Sequence, residues 1–205
     1  MKLNARSYET DQADGLHGEQ ERLFVQTINH LRHDWMNDVQ VLYGYLKLKK
    51  YDKMRDYMEA LKERMSRESG IAKLGIPALI VYLQSFRVRS RSIRLDVEPE
   101  PGLQLASLPV QAQLVTDAII CVLEAFVRHA GMRSDGEPNE LLLKLELRDQ
   151  MLVIGFGYVG SYNGPGLKQE LNELALSYNA DERVRGTASY EEDGAFIDIY
   201  VPLGE

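Results

Sequence analysis

Residues 24–46 read FVQTINHLRHDWMNDVQVLYGYL, and their spacing predicts one long amphipathic helix. From Glu19 to about Lys49 an apolar residue recurs every three or four positions, which is typical of a single buried helical face. The members of this apolar stripe are Phe24, Ile28, Leu31, Trp35, Val39, Leu42 and Leu46. After a short turn a second amphipathic pattern runs to about Gly70, a residue type common just past a helix end. Together they predict an antiparallel helical hairpin.

A hairpin of two helices needs a partner, because it buries too little apolar surface to be stable alone. It could dock on the rest of its own chain, or it could pair with a second copy to form a four-helix bundle. The stripe continues along the whole first helix, and this length favours the second solution. We therefore expect a homodimer.

The pattern changes after Leu74 to a mixture of helices and strands. Helical spacing occurs at 78–89, 109–130 and 167–178, and strand-like alternation at 93–98, 141–147, 151–159, 184–190 and 195–201. Such a mixture favours a two-layer α/β sandwich. The predicted fold class is therefore α+β, with a flexible tail at 1–18, the helical hairpin at 19–70 and the α/β domain at 71–205.

Composition and charge exclude several classes of function. The formal net charge of −7 argues against binding to nucleic acid or to anionic membranes. The longest apolar stretch, 114–127, contains Asp117 and Glu124, so we expect no membrane span. Residues 1–20 are polar and predict no signal peptide. The single cysteine, Cys121, allows no internal disulfide and no multi-cysteine zinc site. We expect Cys121 to be a small side chain of the core, and we expect the protein to reside in a reducing cytoplasm.

His33 is expected to face solvent. At 100° per residue it lies about 200° from Leu31 and Trp35, which places it away from the apolar stripe. Its own helical face is polar but nearly uncharged, whereas an ordinary solvated face carries Lys and Glu. Such a surface favours docking of a partner, and its predicted contact residues are Asn29, Met36, Asn37, Gln40 and Gly44.

The side chains around His33 suit phosphoryl chemistry. A neutral imidazole is nucleophilic near neutral pH because its ordinary pKa is about 6.5. Asp34 could fix the ring tautomer or take up a proton, and Asn37 could orient a phosphoryl oxygen or a water molecule. His33, Asp34 and Asn37 are therefore the predicted catalytic residues. The alternatives are an ordinary surface histidine, or His30 as the carrier, although His30 lacks an acidic neighbour.

The pentapeptide His33-Asp34-Trp35-Met36-Asn37 resembles the phosphoacceptor motif of the sporulation initiation phosphotransferase B family, and of histidine kinases that share its helical domain. The resemblance implies hairpins that dimerise into a four-helix bundle. It also implies a C-terminal domain that is similar to the ATP-binding domain of histidine kinases but lacks its function.

The sequence departs from the histidine-kinase pattern at the motifs that bind ATP. A kinase would carry an Asn-Ala-x-x-His box whose Asn holds magnesium, but residues 124–129 read EAFVRH and place Ala125 at the Asn position. Alanine cannot ligate a hard cation. Tyr162 replaces the adenine-recognising Asp of Asp-x-Gly-x-Gly, and the second glycine-rich segment is missing because 185–187 lead directly into a strand. We therefore expect no ATP-dependent autokinase activity.

Two further motifs have simpler interpretations. Residues 155–160, GFGYVG, match the dinucleotide pattern Gly-x-Gly-x-x-Gly, but no helix is expected at the last glycine, so a glycine-rich strand is favoured. The basic run at 87–94, RVRSRSIR, predicts a helix end and a solvated edge, with contact to an acidic protein as the alternative.

The resulting hypothesis is a cytoplasmic phosphotransferase. His33 takes a phosphoryl group from the aspartyl phosphate of one response regulator and passes it to the aspartate of another. The chain itself binds no cofactor, and Mg²⁺ is expected from the acidic pocket of the regulator. The resemblance implies a sporulation phosphorelay. The alternatives are a divergent ATP-dependent sensor histidine kinase and a non-catalytic dimeric module that binds a regulator.

Overall fold

The computed structural model describes residues 5–178 and 184–204. The chain divides into two compact units, Met1–Leu61 and Lys62–Glu205. The division falls earlier than the predicted domain boundary at residue 70 and lies inside the second helix, Tyr51–Ala72.

The first unit is the predicted helical hairpin. Helix α1 spans Ala5–Lys47 and helix α2 begins at Tyr51. Between them Lys49 has a positive φ of 54°, and the amide of Lys50 closes the end of α1 by donating to the carbonyl of Tyr45. The predicted tail over residues 1–18 needs correction, because α1 begins at Ala5 rather than Glu19. Helix formers such as Ala, Gln and Glu extend the helix there without any apolar period, and residues 1–4 lie outside the described residues.

In the described part of the second unit, the end of α2 is followed by a five-stranded sheet and three helices. Its elements are α3 (Pro77–Arg89), β1 (Ile93–Pro99), a 3₁₀ turn (Leu105–Ser107), α4 (Ala112–His129), β2 (Asn139–Arg148), β3 (Met151–Val159), α5 (Gly164–Tyr178), β4 (Arg185–Glu191) and β5 (Gly194–Pro202). The strand order is β1-β2-β3-β5-β4. Among the described strands, β1 and β2 pair in parallel and the other three pairs are antiparallel. All five predicted strands are confirmed.

One face of the sheet is apolar and forms the core with the helices. Leu143, Phe156 and Ile197 are register partners across three neighbouring strands, and all three are buried. Helix α4 covers this face, and its Phe126 ring stacks on Tyr158 with centroids 5.1 Å apart. Helices on one face of a mostly antiparallel sheet make the two-layer α+β arrangement that the sequence predicts.

Residues 155–159 of the glycine-rich segment belong to strand β3, as predicted, and no helix opens at Gly160. Two of its glycines lie beneath side chains of the neighbouring strand β5. A Cβ at Gly157 would lie 3.6 Å from the Phe196 ring, and a Cβ at Gly155 would lie 3.0 Å from Asp198 Oδ1. These glycines therefore admit neighbouring side chains of the sheet rather than a phosphate.

Candidate functional site

His33 is exposed, with 72% of its side chain accessible to solvent. Its Nδ1 lies 3.1 Å from Nδ2 of Asn37, one helical turn later. The carboxylate of Asp34 lies 3.9 Å from the same ring nitrogen, which is beyond hydrogen-bond distance. The amide of Asn37, rather than Asp34, is therefore the hydrogen-bonding partner of the ring.

The geometry leaves Nε2 of His33 as the nitrogen available to an incoming phosphorus atom, since both described contacts involve Nδ1. Attack by Nε2 requires its lone pair to be free and the proton to reside on Nδ1. Asn37 can accept a hydrogen bond from that Nδ1–H through its carbonyl oxygen if the amide is turned over, because the two amide positions are nearly equivalent. Asp34 would then stabilise positive charge on the ring at longer range.

The predicted docking residues are accessible on the same helix. Asn29, Met36 and Gln40 are exposed, and Gly44 is half-buried. A Cβ added at Gly44 would meet nothing within 4 Å. The chain itself therefore has no steric need for a glycine at this position.

The side of α1 that faces α2 within the hairpin does not coincide with the predicted apolar stripe. Its buried or half-buried residues are Leu23, Thr27, Asp34, Asp38, Val41 and Tyr45, while Leu42 of the stripe and Gly44 are half-buried at its two margins. Asp38 is only 6% exposed, and its Oδ1 accepts a 2.7 Å hydrogen bond from the hydroxyl of Tyr57 on α2. Our sequence reasoning missed this pair. The available signal was the alternating four- and three-residue spacing of Asp34, Asp38, Val41 and Tyr45, a coiled-coil seam with polar members.

Apart from Leu42, which is half-buried, the apolar stripe is exposed in the single chain. Trp35 is 58% accessible, and the side chains that flank it on the stripe, Leu31 and Val39, are also exposed. A row of large apolar side chains in contact with water is typical of a surface that another protein covers. His33 lies on the opposite side of α1 and would remain accessible if this stripe were covered.

Replacing Tyr57 by phenylalanine is expected to destabilise the protein by about 1.5–3 kcal/mol, because the buried Asp38 carboxylate loses a hydrogen bond to a charged group. Tyr43→Phe is the matched control, since Tyr43 is exposed, and should change stability by less than about 0.5 kcal/mol. Urea unfolding followed by circular dichroism measures both. Equal stability of the two variants would contradict a structural role for the Asp38–Tyr57 bond.

The positions at which a kinase would bind ATP have structural roles here. The side chain of Ala125 is fully buried in the core. The hydroxyl of Tyr162 lies 2.6 Å from the Glu191 carbonyl and 2.8 Å from that of Gly194, and so ties down the β4–β5 turn. Nε2 of His129 lies 2.8 Å from Glu170 on α5.

Arg128 also binds Glu170, and this guanidinium is the main reason why the pKa of the Glu170 carboxyl is held below its usual range. No group of three or more His, Cys, Asp or Glu that could hold a metal ion occurs in the described part of the chain. Within the described residues, no helix is both long enough and apolar enough to cross a membrane.

Comparison with known proteins links the hairpin to phosphoryl transfer. Residues 19–74 match the family described as the SpoOB-type sensor kinase, alpha-helical domain. The sporulation initiation phosphotransferase B of Bacillus subtilis (strain 168) is 22% identical over 151 residues, which cover 73% of this chain and 76% of that protein.

Solved histidine kinases are among the similar structures. The Acinetobacter baumannii histidine kinase AdeS is 10% identical with a TM-score of 0.42, covering 84% of this chain and 98% of that chain. The catalytic domain of the histidine kinase ThkA is 12% identical with a TM-score of 0.46, covering 66% and 90%. ThkA in complex with the response regulator protein TrrA is 13% identical with a TM-score of 0.45, covering 98% and 67%.

Proposed function

Because the chain belongs to the sporulation initiation phosphotransferase B family and has a role in two-component phosphoryl transfer, we propose that His33 relays a phosphoryl group between the aspartates of two response regulators. The observation that supports this most directly is the geometry of the ring. His33 is exposed, its Nδ1 is held by Asn37, and its Nε2 is left for the reaction. The name of the B. subtilis relative supports a sporulation phosphorelay.

The proposed reaction has two steps that balance without another reactant. In the first, the Nε2 lone pair of His33 attacks phosphorus, and the acyl-phosphate P–O bond breaks with its electron pair leaving on the donor aspartate. In the second, the acceptor aspartate attacks phosphorus, and the electron pair of the N–P bond returns to Nε2. Charge on the transferring group requires Mg²⁺, which we expect to come with the regulator's acidic pocket.

We also propose that the chain does not use ATP as a donor. Ala125 is buried where magnesium ligation would be needed, and Tyr162 is engaged with two backbone carbonyls where adenine would be recognised. The test compares labelled ATP with a labelled phosphorylated receiver domain as the donor, followed by mapping of the modified residue. Label on His33 from the receiver alone is the expected result. Robust labelling by ATP and magnesium would instead identify a kinase, and no label from either donor would indicate a binding module.

Replacing Gly44 by alanine is expected to stabilise α1 by up to about 1 kcal/mol while slowing phosphoryl transfer by about 10-fold or more, since a methyl group on the docking face displaces the regulator. Gly18→Ala is the matched control, because Gly18 also lies in α1 and a Cβ there meets nothing within 4 Å. Stopped-flow or quenched-flow transfer rates and urea unfolding provide the two measurements. Unchanged transfer by the Gly44→Ala variant would remove Gly44 from the docking surface.

A further inference from the structure

The second unit contains an open cavity of about 440 Å³ between α4, α5 and the β4–β5 end of the sheet. Its floor is formed by buried apolar side chains of α4 and β5, namely Val115, Val122, Ile197 and Val201. Leu171 and Leu174 of α5 form one wall. Small-molecule sites usually occupy roughly 300–1,000 Å³ and have such apolar linings, so the cavity has the size and the surface of a ligand site.

Small residues on the edge strand β4 create this space. Gly186 and Ala188 pair with Ile199 and Ile197, and all four line the cavity. A Cβ at Gly186 would meet only the Asp198 carbonyl oxygen, at 3.7 Å. A side chain at Gly186 therefore has room to enter the cavity, and we expect a larger side chain at Ala188, which lines the same space, to occupy it as well.

The charged side chains that line the cavity in the described part of the chain have one sign. They are Lys168 and Arg185, both cations, and no carboxylate occurs among these described lining residues. The cationic character of the lining contrasts with the whole chain, which has 31 acidic and 24 basic residues. Within the described residues neither cation makes an ion pair. Nζ of Lys168 lies 5.9 Å from the ring centroid of Tyr190, which also lines the cavity.

We propose that this cavity binds a small amphipathic carboxylate, with its hydrocarbon chain among the apolar side chains and its carboxylate at Lys168. The apolar floor favours a hydrocarbon over a hydrophilic metabolite. The two cations in the described lining favour an anion over a neutral or basic ligand. The site is independent of His33 and goes beyond the proposed phosphoryl relay.

Isothermal titration calorimetry of the full chain with sodium decanoate and, separately, with 1-decanol tests the ligand class. We expect saturable binding of one decanoate per chain, with decanol binding at least about 10-fold more weakly because it lacks the charge. Lys168→Gln should reduce decanoate affinity to that of decanol, whereas Lys53→Gln in the hairpin should leave it unchanged.

A matched pair of variants tests the location. Ala188→Leu is expected to lower decanoate affinity by at least about 10-fold, since the added atoms occupy the cavity. Ser189→Leu adds similar bulk at the next residue of β4, which does not line the cavity, and should bind normally. Circular dichroism and the unfolding temperature confirm that both variants fold, and Gly186→Val provides a second filled cavity. Decanoate binding that persists in the filled variants, equal affinity for decanol, or no saturable binding to the wild-type chain would overturn the proposal.

Discussion

Replacing His33 by glutamine is expected to lower phosphoryl transfer from a phosphorylated response regulator by at least about 1,000-fold, because glutamine offers no nucleophilic ring nitrogen. Stability should change by less than about 0.5 kcal/mol, since the His33 side chain is 72% exposed and its polar contacts among the described residues are with Asn37 and Asp34 on its own helix. The label that reaches the chain from a labelled receiver domain gives the rate, and the unfolding midpoint gives the stability.

His30→Gln is the control for this variant. His30 is also exposed on α1 and lies close to His33 in sequence, so the substitution removes an imidazole from the same region. Transfer by the His30→Gln variant should remain within about twofold of wild type, well below the loss expected from removing a nucleophile. Normal transfer by His33→Gln, together with loss in His30→Gln, would assign the phosphoryl group to His30. Loss in both variants without a label on either histidine would favour a role in regulator binding alone.

The sequence predicted α1 and α2 because an apolar helical period is a local signal. It did not predict which side of α1 meets α2. The seam that faces α2 includes Asp38, which accepts a hydrogen bond from the hydroxyl of Tyr57, nineteen positions away. A carboxylate within a helical pattern predicts a solvated face unless the residue that donates a hydrogen bond to it is known.

In the second unit the strands were predictable from their alternation, but the contacts that depend on how the strands pair were not. Sequence showed that Ala125 and Tyr162 depart from the kinase pattern, yet the hydrogen bonds of Tyr162 to the β4–β5 turn depend on contacts about thirty positions apart. The sequence around Gly186 and Ala188 did not predict a cavity. The cavity arises because β4 pairs with β5 and lies opposite α4 and α5, where these small side chains leave space.

Replacing Trp35 by glutamate is expected to convert the proposed homodimer into monomers. Trp35 belongs to an apolar stripe that the single chain leaves exposed. Burying a large apolar side chain contributes about 1.5–3 kcal/mol, and a symmetric dimer contains two copies of each contact. The substitution also introduces two charges that the interface would have to desolvate. Dimerisation should therefore weaken by at least about 1,000-fold, which size-exclusion chromatography with light scattering measures across a concentration series.

Met36→Glu is the matched control, because Met36 is the next residue, is similarly exposed at 54%, and lies toward the face of His33 rather than on the stripe. It should remain dimeric while losing transfer from the regulator, whereas the Trp35→Glu monomer should keep an accessible His33. A dimeric Trp35→Glu variant would show that the stripe is not the interface. A wild-type chain that remains monomeric at micromolar concentration would show that something other than a second copy covers it.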